Sequence, residues 1–428
     1  MAASSRRTVI TGVGVLSPIG LDAATFWRSL REGRSGVRPI RAFDASALPV
    51  RFAGEIPEFT DAKNYVEKSQ RKSLRMMART IQLAVAAAQC AMNDGAVDKS
   101  KLVPERFGVE FGAGLIATEL PELADAARVS TNCQPGRVDL EKWGSDGLEV
   151  IQPLWMLKYL PNMLACHVSI LHDARGPNNS LTEGDAAGLL AMGEAYRILT
   201  RDQADFFLAG GAESKINPLS LVRQCLFEQL SRRNDAPEKA CRPFDRNRDG
   251  LVLGEGAGVF ALEELEHARK RGARIYAEVV GFGSAFSPEL QGDGLARAVR
   301  SAMNEAGIGP EEVDHVNAHG LATKASDEWE AQNLQSVFGG SNTPVVAVKS
   351  SIGNLGAAGG PTELAASVLG LHHGLAPATL NYEEPDPACP VAVTAGAPRP
   401  ATRPYVVKVS FTQMGQCGAL VFRKWSSQ

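Results

Sequence analysis

"GPNNSLTEGDAAGLLAMGEAYRIL", residues 176 to 199, reads as a short strand, a turn and a helix. Turns of this kind hold the nucleophile in several enzyme classes. This one holds Asp185. Directly ahead of an apolar helical run, its side chain meets free backbone N–H groups and the positive end of the helix dipole, which favour an anion. The plain reading is a helix cap worth about 1 kcal/mol; the chemical reading is a site residue, and position alone leaves both open. Glu183, two residues earlier on an extended segment, points the same way and is a conceivable second carboxylate.

Outward from this stretch, β-branched runs such as "TVITGVG", "RFGVEFGAG", "ADFFLAGGAES", "IYAEVVGFG" and "PVVAVKSS" alternate with helical patterns such as "RTIQLAVAAAQCAMNDG" and "LARAVRSAMNEAG". That alternation predicts α/β layers around a mostly buried sheet. A weak internal symmetry accompanies it. In the first half a strand runs into "FGAGLIAT" and a later turn into "TEGDAAGLLAMGEA"; in the second a strand runs into "NAHGLATK" and a later one into "KSSIGNLGAAGGPTELAAS". Two facing copies of one unit would gather four loops at the carboxyl ends of their strands, where α/β sheets bind ligands.

The residues those loops would gather are Asp185, His319, Lys349, Asn354 and Glu363. His319 follows an apolar strand, where an imidazole can donate to a carbonyl oxygen or shuttle a proton. Lys349 and Asn354 flank a glycine-rich turn that lets backbone approach a ligand closely. Two other patterns carry less. "DRNRDGLVLGEG" begins like a calcium loop through Asp245, Asn247 and Asp249, but its Glu255 falls at the eleventh position, where the twelfth is needed. "GEGAG" lacks the Lys-Ser/Thr of a phosphate loop. No metal and no cofactor is expected.

The 428 residues are 44% hydrophobic and 22% charged with a formal net charge of -3, the balance of a globular protein large enough for a sizeable core. No basic run is long enough to track a phosphate backbone, so nucleic acid is not an expected partner. Seven cysteines, at 90, 133, 166, 225, 241, 389 and 417, show neither a C-x-x-C pair nor metal-like spacing, which reads as a reducing cytoplasm. Arg6 and Arg7 precede an apolar run in the manner of an export signal, yet Gly12, Gly14, Pro18 and Gly20 break it, so a first strand is expected. No apolar helical stretch approaches the ~20 residues needed to cross a bilayer, and membrane insertion is not expected.

Motifs from one end to the other resemble the β-ketoacyl-[acyl-carrier-protein] synthases, the elongating condensing enzymes of fatty-acid and polyketide synthesis. They include "TVITGVGVLSPIG", "LAGGAES", "LSRRNDAPEKACRPFDRNRDGLVLGEGAG", "NAHGLATKASDEWE", "KSSIGNLGAAGG", "NYEEPDPAC" and "SFTQMGQCGALVF". The resemblance implies the thiolase fold, two pseudo-repeated α/β halves (residues 1–255 and 256–428) in a five-layer αβαβα core. It also implies a dimer and an acyl carrier protein as partner.

Three departures stand out against that resemblance. Asp185 occupies the place of the family's acyl-accepting Cys, and Asn354 that of its second His, while His319, Lys349 and Glu363 match the retained first His, Lys and buried acid. The glycine-rich segment that shapes the family's acyl gate is "TQMGQC" here, placing Gln413, Gln416 and Cys417 beside the substrate. The basic rim that docks the carrier protein is matched by Lys68, Arg71, Lys72, Arg232 and Arg233.

A carboxylate is a weak nucleophile whose acyl product would be a mixed anhydride, so standard condensation is not expected. The expectation is a non-condensing subunit similar to the chain-length factors of polyketide systems, as a homodimer or paired with a Cys-bearing homologue. Two alternatives stay open: altered acyl chemistry with Asp185 and His319 as an acid/base pair, and a condensing enzyme whose nucleophile has moved to Cys417 or Cys166.

Overall fold

The fold follows from which apolar runs are buried on both sides. In the computed structural model, which describes residues 6–131 and 136–426, the run Thr8–Leu16 is β1 and every one of its residues is buried, as expected for a strand covered on both faces. Cys133 lies outside the described residues. Nine more strands join it: β2 (Phe107–Ala113), β3 (Asn178–Leu181), β4 (Phe206–Ser214), β5 (Glu255–Glu264), β6 (Ala277–Phe286), β7 (Val313–Asn317), β8 (Val345–Val346), β9 (Tyr405–Phe411) and β10 (Gln416–Lys424). Their order across the sheet is β3-β2-β4-β5-β1-β6-β10-β9-β7-β8.

Adding five to each strand number of the first half generates the second. In each half the outer three strands run parallel and the inner pairings are antiparallel. The halves join where β1 and β6 pair through Thr8–Val279, Val9–Glu278 and Ile10–Ala277. The boundary expected at 255/256 lies between the first and second residues of β5, which pairs along its length with β1 and β4.

Helices repeat in the same way. The first half carries α1 (Arg79–Asp94), α2 (Met163–His172) and α3 (Ala187–Thr200); the second carries α4 (Gly294–Ala306), α5 (Lys324–Phe338) and α6 (Gly359–His373). Helix α1 covers the outer face of β1, β5 and β4 and α2 packs beside it, while α4 covers β6 and β10 and α5 packs beside it in the corresponding place. Helices α3 and α6 lie between the two half-sheets and touch both, giving five layers. Their sequences show why: Gly359 to Leu371 of α6 is buried without interruption and α3 is apolar nearly all round, so neither has a face suited to water.

The two central helices meet almost backbone to backbone. A Cβ on Gly188 of α3 would sit 2.2 Å from the Ala357 carbonyl oxygen and 2.7 Å from Pro361 Cδ. Since neither neighbour is the free end of a flexible side chain, Gly188→Ala is expected to destabilise the fold by about 1–3 kcal/mol. A urea titration checks this; an unchanged midpoint would show that the helices part freely.

Candidate active site

The strand ends named in the sequence converge. Asp185 lies in the turn Gly184–Ala186 after β3, and His319 two residues past β7. Lys349 opens a single helical turn after β8, Asn354 follows that turn, and Glu363 is on α6. The turn before Asn354 ends at Gly353, whose φ of 76° is in the region that favours glycine.

Asp185 is not a helix cap. The residue before α3 is Ala186, with no side-chain cap bond, and the Asp185 carboxylate turns across to the other half. Asn354 Nδ2 donates to Asp185 Oδ2 at 2.8 Å, His319 Nε2 lies 3.8 Å from the same oxygen, and Lys215 Nζ lies 3.6 Å from Oδ1. Three positive or hydrogen-bonding groups therefore face one carboxylate, and the pull of partners from the opposite half outweighs the local N–H groups of the helix. Glu183 stays exposed on the near side of the turn.

The tautomer of His319 follows from its neighbours. Lys349 Nζ stands 3.1 Å from Nδ1 and also donates to the His319 carbonyl at 2.9 Å. An ammonium has no acceptor, so Nδ1 receives that hydrogen bond and the ring's single proton is on Nε2, facing Asp185. Burial, with Lys349, Lys408 and Lys215 nearby, holds the imidazole pKa well below its ordinary value. His319 is thus a neutral donor. The ring lies tilted against Phe411 with centroids 4.5 Å apart.

Four further charged groups shape this site. Lys215, just past β4, lies 3.7 Å from Glu213 as well as near Asp185; burial opposes its charge, but Glu213 and Asp185 raise its pKa. Glu213, itself raised by burial, accepts from Ala357 N at 2.7 Å. Lys408 of β9 shares Glu363 with Lys349, the two ammonium groups taking one carboxylate oxygen each at 2.5 and 2.6 Å. Glu330 of α5 accepts from the backbone N–H groups of His319 and Gly320 at 2.6 and 2.8 Å, and burial pushes its pKa up to about 7. A lysine or glutamate at the end of a strand was the available signal for Lys215 and Glu213.

Other expected residues fall elsewhere. Cys417 is in the core beneath α4, its thiol pushed up to about 12 by burial, and Cys166 sits on α2; neither contacts Asp185, His319 or Asn354 among the described residues. A relocated thiolate nucleophile therefore finds no support at Cys417, because burial in apolar surroundings keeps the thiol protonated. Gln413 is exposed and donates to Glu228 at 2.8 Å, and Gln416 opens β10 opposite Phe286. Lys68, Arg71 and Lys72 are exposed on the segment Lys68–Met76 and Arg232 is exposed, whereas the Arg233 guanidinium donates to the Asn247 carbonyl at 2.8 Å. The Asp245 carboxylate of the calcium-like segment is fully engaged by Arg242 and by the backbone N–H groups of Asn247, Glu383 and Glu384. Beside Lys215 a cavity of about 700 Å³ opens between Ala113, Leu115, Ile116, Thr182 and Leu219.

With two α/β repeats enclosing a His–Lys–Glu cluster, comparison with known proteins places the chain. Residues 5–268 match the β-ketoacyl synthase N-terminal domain and residues 275–383 its C-terminal domain. The chain belongs to the β-ketoacyl synthase family. It is 37% identical to the 3-oxoacyl-[acyl-carrier-protein] synthase 2 of Vibrio harveyi over 430 residues, covering 98% of this chain and 99% of the relative. Among solved structures it is similar to the ishigamide ketosynthase/chain length factor, with TM-score 0.86 and 30% identity over 99% of this chain and 100% of the other. It is also similar to one chain of a solved complex described as a type II PKS acyl-carrier protein in complex with its ketosynthase bound to the hexaketide, with TM-score 0.85 and 28% identity over 99% and 100% of the two chains. The thiolase-like ketosynthase fold follows from these matches. No helix among the described residues is long and apolar enough to cross a membrane.

Two outcomes test the electrostatics of this β-ketoacyl synthase site. Glu363→Gln leaves two buried ammonium groups without a counter-charge and is expected to cost about 3–5 kcal/mol in chemical denaturation. Because His319 stays neutral in the folded state, its contribution to stability is whole above its ordinary pKa of 6.5 and is lost as pH falls, when the unfolded chain takes up the proton first. The stability difference between the parent and His319→Gln should therefore fall from about pH 7 to about pH 5; a constant difference would mean that His319 takes up its proton equally readily in the folded and the unfolded chain.

Proposed function

We propose that this β-ketoacyl synthase family member is a non-condensing subunit of fatty-acid or polyketide synthesis, one that binds acyl groups and acyl carrier protein in the manner of a chain-length factor. One observation carries the reading: Asp185, at the position of the family's acyl-accepting Cys, takes up the Asn354 donor at 2.8 Å and faces the Nε2–H of His319. Those two donors are the groups that would stabilise an enolate or oxyanion; the chain's own carboxylate takes the first by a hydrogen bond and stands in front of the second. A carboxylate in that place is also a poor acyl acceptor and repels the carboxylate of a malonyl group.

The cavity beside Lys215 supports acyl binding, since its walls at Leu115, Ile116 and Leu219 are apolar. The sheet edge at β3 supports a dimer, with this chain or with a Cys-bearing homologue, because among the described residues β3 pairs with β2 and with no strand on its other side. Exposed Leu140, Leu148, Leu154, Met156 and Ile170 supply apolar surface for such a partner. The second reading, an Asp185–His319 acid/base pair, has the 3.8 Å approach in its favour and the donor-only state of Nε2 against it.

Intact-mass spectrometry after incubation with acyl-loaded carrier protein decides between these readings. No adduct is expected on the parent protein, and Asp185→Cys should restore at most acyl loading, because groups that act as a unit do not recover singly. An adduct on the parent, or turnover abolished by Asp185→Asn at unchanged melting temperature, would overturn the non-condensing reading. Carrier-protein binding should be weak and should fall severalfold both on Arg71→Glu/Lys72→Glu and on raising salt from about 50 to about 500 mM. Affinity indifferent to both would remove the carrier protein as partner.

A further inference from the structure

Lys408 is the one charged residue in "YVVKVSF", and both valines beside it pack outward against α4 and α5. Alternation along β9 therefore turns the lysine inward, toward α6, where it is fully buried. Its ammonium meets three oxygens: Glu363 Oε2 at 2.5 Å, the Ala318 carbonyl at 2.9 Å and Asn317 Oδ1 at 3.2 Å.

The cage is built by groups behind it. Asn317 Nδ2 donates to the Glu363 carbonyl at 2.7 Å and to Ser367 Oγ at 2.8 Å, which leaves Oδ1 as the face turned to Lys408. Ser367 Oγ is in turn 2.9 Å from His315 Nε2, and His315 Nδ1 is 2.9 Å from Asp314. All of these side chains are buried. A row of polar groups that fixes the direction of one amide oxygen is more than a packed core requires.

Charge balance sharpens the question. Glu363 already has a counter-ion in Lys349 at 2.6 Å, so a second buried ammonium is not needed to neutralise it. Burying that charge costs free energy that an apolar side chain of similar volume would avoid. What the second ammonium adds is direction: with one oxygen tied to Lys408, the carboxylate can offer only the other to Lys349, and Lys349 is thereby aimed at His319 Nδ1.

We propose that Lys408 is a positioning residue, a tethered cation that locks Glu363 and Lys349 so that His319 presents a protonated Nε2 to the site. It never touches the space around Asp185. Its action runs through Glu363, Lys349 and the imidazole, and the proposal holds whether or not the protein binds a carrier protein.

The test is nitrogen NMR of the full-length protein labelled at its seven histidines, with His319 assigned by its absence in His319→Gln. In Lys408→Met, folded by circular dichroism, His319 is expected to take up a proton about tenfold more readily, a shift of about one pKa unit upward. Methylammonium added to Lys408→Ala should refill the three-oxygen cage and return the parent spectrum, while tetramethylammonium, which donates no hydrogen bond, should not. Ser367→Ala frees the Asn317 amide without removing the charge and should move His319 in the same direction by less, so the proposal stays testable if the lysine variants unfold. A lysine acting on His319 by its charge alone would be replaced as well by tetramethylammonium as by methylammonium, and Ser367→Ala, which keeps that charge, would leave the His319 titration in place. An unchanged His319 spectrum in every folded variant among these overturns the proposal.

Discussion

Helix α3 at Gly188 passes so close to Ala357, in the turn that leads into α6, that no side chain fits between them, and the site depends on that contact. Asp185 lies three residues before Gly188 and Asn354 three residues before Ala357, so wherever the helices touch, the two preceding turns must face each other. The 2.8 Å hydrogen bond between those residues is the outcome. The half-sheets on either side keep the helices in place, since each helix is apolar around nearly its whole circumference and has nowhere else to go.

The charges that fill this meeting point are arranged for fixity. Every carboxylate near His319 has a named partner: Asp185 has Asn354, Glu213 has Ala357 N, Glu330 has two backbone N–H groups and Glu363 has two lysines. Such a fully satisfied polar network in a low-dielectric interior holds its members in one arrangement. The imidazole at its centre is a donor without a spare lone pair, which suits binding and orientation of an oxygen better than proton abstraction.

Much of this was legible in the sequence because loops at strand ends carry glycines and polar residues that stand out against apolar runs. Asp185, His319, Lys349, Asn354 and Glu363 all belong to such loops or to the helix that follows, and the internal repeat indicated that they would meet. The orientation of Asp185 was not legible: a residue ahead of a helix reads as a cap, and only the neighbouring half, far away in the chain, supplies the Asn354 donor that wins. Lys408 was hidden for the opposite reason. In an alternating strand a lysine reads as solvent-facing, since lysine is almost never buried unless paired, and its partner Glu363 is on another element. The position of Cys417 in the segment that departs from the family's glycine-rich one suggested access, while the register of β10 sends its side chain into the core.

The shared middle layer also governs how the chain reaches this state. A ribosome delivers β1 to β5 and α1 to α3 first, yet α3 also packs against β6, β10, α6 and the turn ahead of α6, which are made much later. Until then an apolar helix remains half wet, and the half-chain is a sticky intermediate with no finished core of its own. Contacts such as Gly188 to Pro361 join distant parts of the chain, a topology that folds slowly. Synthesis of this protein therefore passes through an interval in which chaperone cover, or rapid completion of the second half, decides whether α3 is buried or aggregates.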